Sequence, residues 1–132
     1  MNRILVAYDG GEPARRALDT AVQLAKPDAH VTVVSVVPAH PGRVRIDPWD
    51  DALVHAQELL EAKEYLAKQG IVAEFLEPVG DPAKTIERIA EDGDFDTVVI
   101  GSRGLGVVSR FLQGSVSEHV ATHARGTVVI AR

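Results

Sequence analysis

The densest concentration of potential chemistry lies in two glycine–serine clusters, Gly101-Ser102-Arg103-Gly104-Leu105-Gly106 and Gly114-Ser115-Val116-Ser117-Glu118. Small residues, hydroxyls and a guanidinium together form a donor set suited to phosphate. Ser115 and Glu118 have capping-box spacing, which predicts a helix beginning at Val116. The backbone N–H groups of Val116 and Ser117 would then lie at its positive end, and Gly114 would let the chain approach a ligand closely. A helix end stabilises an exposed anion by only about 0.3–1 kcal/mol, whereas micromolar binding needs about 8 kcal/mol. Several donors and a pocket for the rest of the ligand must therefore act together, with Arg103 adding charge-assisted contacts. On glycine count alone, a plainer reading serves equally well: the glycines turn the chain and Ser115 caps a helix.

Other candidates are weaker. Asp9-Gly10 follows an apolar run, where Asp-Gly is an ordinary turn. One carboxylate rarely makes a metal site, so Asp9 itself is not expected to ligate magnesium; an ion accompanying a phosphate group would sit on phosphate and water. His119 and His123 share a helix face, but no third ligand and no HExxH glutamate accompany them. His30, His40 and His55 are isolated, and Trp49 reads as packing. There is no GxSxG, no lysine completing a Walker A loop, and no GxGxxG after the first strand. A receiver domain's acidic pair and late lysine are not evident either.

The elements that must position these residues follow from hydrophobic periodicity. Ile4 to Ala7, Val31 to Val37 and Thr97 to Ile100 are nearly continuous apolar runs, as expected for strands buried on both faces of a parallel sheet. Ile71 to Leu76 partly alternates and reads as a strand nearer an edge, and Thr127 to Ala131 is a fifth run. Helix-period stripes lie between them: Ala14, Leu18, Ala21, Val22 and Ala25; then Ala52, Leu53, Ala56, Leu59, Leu60 and Leu66; then Ala83, Ile86, Ile89 and Ala90. Asp47-Pro48 and Asp81-Pro82 each place a capping carboxylate before a first-turn proline. Pro38 to Arg45 reads as a long loop. The alternation implies an α/β doubly wound parallel sheet with right-handed crossovers. In such sheets, ligands bind beyond the carboxyl ends of the strands, where strand order reverses.

Composition sets the outer limits. The chain has 132 residues, 45% of them apolar and 25% charged, with Lys+Arg 14 against Asp+Glu 19. That is the mix and length of one folded domain, residues 1–132. A net charge of -5 argues against nucleic acid as a partner. No run approaches the roughly 20 apolar residues of a membrane span, and the opening segment is too short for a signal-peptide core. With no cysteine, disulfides, thiolate nucleophiles and cysteine-ligated metals are excluded, and a cytoplasmic location is the default expectation.

The full spacing narrows the reading. Gly101, two residues, Gly104, nine residues, then Gly114-Ser115 resembles the nucleotide-binding pattern of the universal stress protein family, ATP-binding branch. The resemblance covers the whole chain, including the strand ending in Asp9-Gly10, Gly80-Asp81-Pro82 before a helix, and Gly114-Ser115-Val116-Ser117 before the terminal strand. It implies a five-stranded parallel sheet in the order 3-2-1-4-5 with helices on both faces. Carried over residue by residue, it puts Ala7, Tyr8 and Asp9 beside an adenosine, with Asp9 near ribose or base. Backbone groups of Val36 would meet the adenine edge. Gly101, Arg103 and Gly104 would line the ribose and phosphate side, and Gly114, Ser115, Val116 and Ser117 would cradle the phosphates. Two departures stand out: Gly11 replaces the hydroxyl residue frequent after Asp-Gly, and Gly126 stands where a proline commonly introduces the last strand.

The resemblance further implies a homodimer through the C-terminal strand, which would be an apolar edge. With no clear base or nucleophile, the expected role is an ATP-binding stress-response module that binds and senses rather than turns over its ligand. Any hydrolysis or self-phosphorylation would be slow. The alternatives are a nucleotide-free dimeric interaction module and, less favoured, an adenylyl- or phosphoryl-transfer enzyme.

Overall fold

The computed structural model describes residues 3–8, 11–38, 48–101 and 126–131; for 38, 48–55 and 82 the description is of the backbone. The elements are β1 (Arg3–Ala7), α1 (Glu12–Leu24), β2 (His30–Val34), β3 (Val37–Pro38), α2 (Pro48–Lys68), β4 (Ala73–Leu76), β5 (Val79–Gly80), α3 (Pro82–Asp92), β6 (Thr97–Gly101) and β7 (Thr127–Ala131). Five strands form one parallel sheet in the order β4-β2-β1-β6-β7. With the two-residue strands β3 and β5 set aside, this is the order 3-2-1-4-5. The helix expected from Val116 lies outside the described residues, as do Asp47, His119 and His123.

The continuous apolar runs have the cause inferred for them. Successive strand residues point to opposite faces, and both faces are covered. Ile4, Val6, Val31, Val33 and Val99 pack with Ala14, Ala17, Leu18 and Ala21 of α1 and with Ala62 and Leu66 of α2. Leu5, Ala7, Val34, Val36, Val98 and Ile100 pack with Ile86 and Ala90 of α3. α1 and α2 therefore share one layer and α3 occupies the other, as right-handed crossovers require when the chain moves outward twice and then returns past β1. β4 is an edge strand with half-buried and exposed residues alternating.

Two expectations need correction. Leu60 of the second stripe is 54% exposed and Ala56 is also exposed, whereas Ala62 and Leu66 are buried with Leu59 and Tyr65 against them. The face was drawn slightly off register: Leu59, Ala62 and Leu66 recur at i, i+3 and i+7. The apolar run from Val31 to Val37 is also not one strand. The ladder continues in unchanged register from Val34↔Leu76 to Val37↔Val79, with Ser35 N–H donating to Leu76 O (2.9 Å) and Val37 N–H to Pro78 O (2.8 Å). Pro78 has no N–H for the return bond, so pairing lapses there and resumes as the short β3–β5 ladder. Pro38, expected to open the long loop, is the second residue of β3.

Asp81 caps α3 as expected: its carboxylate accepts from the Lys84 N–H at 3.0 Å, and Pro82 fills the first turn. α1 starts differently, at Gly11, with no side-chain cap hydrogen bond and with a proline in its first turn.

Candidate functional site

The observed order makes the reversal point explicit. From β1 the chain runs outward on one side through β2 and β4, then returns to β6 and β7 on the other. The carboxyl ends of β1 and β6 therefore flank the crevice at which ligands bind in open α/β sheets. Of the residues singled out from the sequence, the structure describes Ala7, Tyr8, Val36 and Gly101. Asp9, Arg103, Gly104, Gly114, Ser115, Val116 and Ser117 lie outside the described residues.

Ala7 and Val36 come together. Both are buried, Ala7 at the end of β1 and Val36 in the link between β2 and β3, in the α3-side cluster that also holds Ile100. Together they belong to an apolar floor beneath the surface, 1% and 4% exposed, and the resemblance implies that Val36 meets an adenine edge through its backbone.

Tyr8 is divided between two surroundings. Its backbone N–H donates to Val34 O at 2.9 Å, extending the β1–β2 ladder by one residue. Its side chain, one position after Ala7, points to the opposite face and joins the α1/α2 cluster at 2% exposure. The phenol is thus turned away from the Ala7–Val36 floor. Burial raises its pKa above the ordinary value, while a hydrogen bond from Arg15 pulls the other way.

Gly101 ends β6, buried. A Cβ there would sit 2.7 Å from Pro13 Cβ and 2.8–2.9 Å from the Pro13 carbonyl group. Its missing side chain is therefore accounted for by the close approach of the first turn of α1, which locks the start of that helix against the end of β6. Gly126, where the family pattern has a proline, has a comparable reason: a Cβ would lie 2.5 Å from Asp96 O, the atom that accepts the Thr127 N–H at 2.9 Å.

The sequence reading missed the group around the Tyr8 side chain. Arg15 and Asp19 are one turn apart on α1, Glu61 and Tyr65 one turn apart on α2, and these with Leu18 converge on Tyr8. The Tyr65 hydroxyl donates to Asp19 Oδ1, and that bond pushes the Tyr65 pKa up to about 12. The i, i+4 pairs were visible in each helix; which helix faces would meet was not. Among the described residues no three or more His, Asp or Glu side chains gather as a metal site.

A profile of the universal stress protein family matches residues 1–132. Universal stress protein YxiE of Bacillus subtilis (strain 168) is 33% identical, over 99% of this chain and 99% of its own length. Universal stress protein Sll1388 of Synechocystis sp. is 30% identical, over 98% and 97%. Among solved structures, a universal stress protein of Archaeoglobus fulgidus in complex with dAMP is similar with a TM-score of 0.76 and 27% identity, over 100% of this chain and 98% of that one.

Proposed function

The chain belongs to the universal stress protein family, and on that premise we propose that it is an ATP-binding sensing module, one domain over residues 1–132, active as a homodimer. The observation that carries this reading is positional. Gly101, the first glycine of the long glycine–serine pattern, stands at the end of β6 beside β1, which ends in Ala7, where strand order reverses. From that point the chain continues into Arg103, Gly104 and, further on, Gly114-Ser115-Val116-Ser117.

In this reading the base lies against Ala7 and the Val36 backbone, Asp9 meets ribose or base, and the glycine–serine residues take the phosphates. The dAMP complex of the Archaeoglobus fulgidus relative supports an adenine nucleotide as the ligand class. Magnesium, when it accompanies ATP, is held by phosphate and water. A cytoplasmic location rests on the cysteine-free composition. Dimerisation rests on β7, which has one strand neighbour, β6, among the described residues and leaves Ile130 exposed.

Calorimetric titration with ATP and with adenosine tests the site. ATP should bind saturably. Replacing Gly114→Ala together with Ser115→Ala should weaken ATP by roughly tenfold or more while adenosine changes little, because charge-assisted donors to phosphate are lost. Equal losses for both ligands would overturn the phosphate assignment, and no heat or thermal shift with ATP would overturn nucleotide binding.

A further inference from the structure

Between α1 and α2, on the face of the sheet opposite Ala7 and Val36, a cavity of about 350 Å³ is lined by Tyr8, Arg15, Leu18, Asp19, Glu61 and Tyr65. We propose that this cleft is a second ligand site, selective for a small organic cation: a primary ammonium group joined to an aromatic or short aliphatic body.

The cavity has the build of a small-molecule pocket rather than of a packing void. Its size falls at the lower end of the roughly 300–1,000 Å³ range of such sites, and it combines an apolar floor with a few converging polar groups. Leu18 and Tyr8 are each 2% exposed and form the floor. The Arg15 and Glu61 side chains are more than half in solvent and form the mouth. A sealed void in a core is lined by aliphatic groups and stays dry; this one has phenols inside and charges at the rim.

The charges select the ligand's sign. Among the described residues the lining carries two carboxylates, Asp19 and Glu61, against one guanidinium, Arg15. That guanidinium is already drawn on by three groups: Glu12 at 4.0 Å, Glu61 at 3.8 Å and the Tyr8 hydroxyl. Contacts of 3.8–4.0 Å are about 1 Å longer than a direct charge-assisted hydrogen bond, so Glu61 can turn toward an incoming ammonium without breaking a tight pair. Asp19 accepts the Tyr65 hydroxyl on Oδ1, and a carboxylate has further lone pairs to offer an N–H donor. Of the two phenols lining the cleft, the half-buried Tyr65 ring has a π-system within reach of a ligand, and such rings attract cations. An anion would meet Asp19 and Glu61, with the Glu58 charge also acting on Tyr8.

The cleft is tested separately from the nucleotide reading. It shares Tyr8 with the residues expected beside the adenosine, but it opens on the opposite face, uses none of the glycine–serine residues, and the variants that test it, at Glu61 and Asp19, lie outside that reading. The experiment is an NMR titration of the ¹⁵N-labelled full chain with 2-phenylethylamine and, in parallel, with 3-phenylpropionate, an anion of similar shape. The amine should produce saturable shifts centred on Leu18, Asp19, Glu61 and Tyr65, and should bind at least about tenfold more tightly than the acid. Glu61→Gln, at an exposed position, should weaken the amine by roughly tenfold with the spectrum otherwise preserved. Asp19→Asn should do likewise, as a check in the other helix. Equal binding of the two probes, shifts centred elsewhere, the absence of saturation, or undiminished binding by Glu61→Gln would overturn the proposal.

Discussion

Tyr8 and Tyr65 show how far a residue's role depends on neighbours distant in sequence. Tyr8 was singled out for its place after the first strand; its backbone is there, while its phenol serves the other layer beside Arg15. Alternation along a strand makes the divergence of Ala7 and Tyr8 inevitable, but which face belongs to the crevice depends on the crossovers. The tyrosines also make a measurable prediction. The bond to Asp19 raises the Tyr65 pKa to about 12, and burial raises that of Tyr8. A raised folded-state pKa favours the neutral phenol, so this stabilisation is fully present below pH 10 and is lost as pH rises toward 12. With two tyrosines in the chain, absorbance at 295 nm should titrate at higher pH in the folded protein than in a urea-unfolded control. Asp19→Asn should lower the Tyr65 midpoint. A folded midpoint equal to the unfolded one would remove this account.

At the level of elements, local chemistry was readable where it is self-contained. Asp81-Pro82 carries its own capping logic, and α3 starts there. Asp81→Ala should therefore cost about 1 kcal/mol of stability, read as a lower urea midpoint at unchanged slope, with Asp81→Asn close to the parent; an unchanged midpoint for Asp81→Ala would contradict the cap. Elements shaped by partners were less readable. The apolar run from Val31 to Val37 contains no signal that it divides; the cause is Pro78, in the link between β4 and β5. The stripe on α2 was drawn through Leu60 because leucine is apolar, although the buried positions are Ala62 and Leu66. An alanine at 0% exposure holds the helix close to the sheet, where periodicity alone gives little weight to so small a side chain. Gly101 likewise has a packing role, against Pro13, that belongs to the meeting of β6 with α1.

For the molecule as a whole, the parallel sheet and its two helical layers were within reach of the sequence, since buried strands and amphipathic helices alternate and crossovers have one hand; the strand order came only from the family resemblance, because the hand of the crossovers does not fix it. The contents of the α1/α2 cleft were out of reach, because they join Asp19 to Tyr65 across two helices. The strand order also places β4 and β7 at opposite edges. Ile130, 41% exposed on β7, tests the proposed dimer: Ile130→Lys should convert it to a folded monomer by light scattering, and an unchanged dimer mass with native circular dichroism would exclude this edge as the interface. The two edges differ in chemistry. β7 reads Thr-Val-Val-Ile-Ala, whereas β4 and its exit carry exposed Glu74 and Glu77. An assembly growing strand by strand needs two receptive sides. A molecule whose one flank carries carboxylates can join a single copy through the other and then meets repulsion, so the charge on β4 and its exit disfavours filaments.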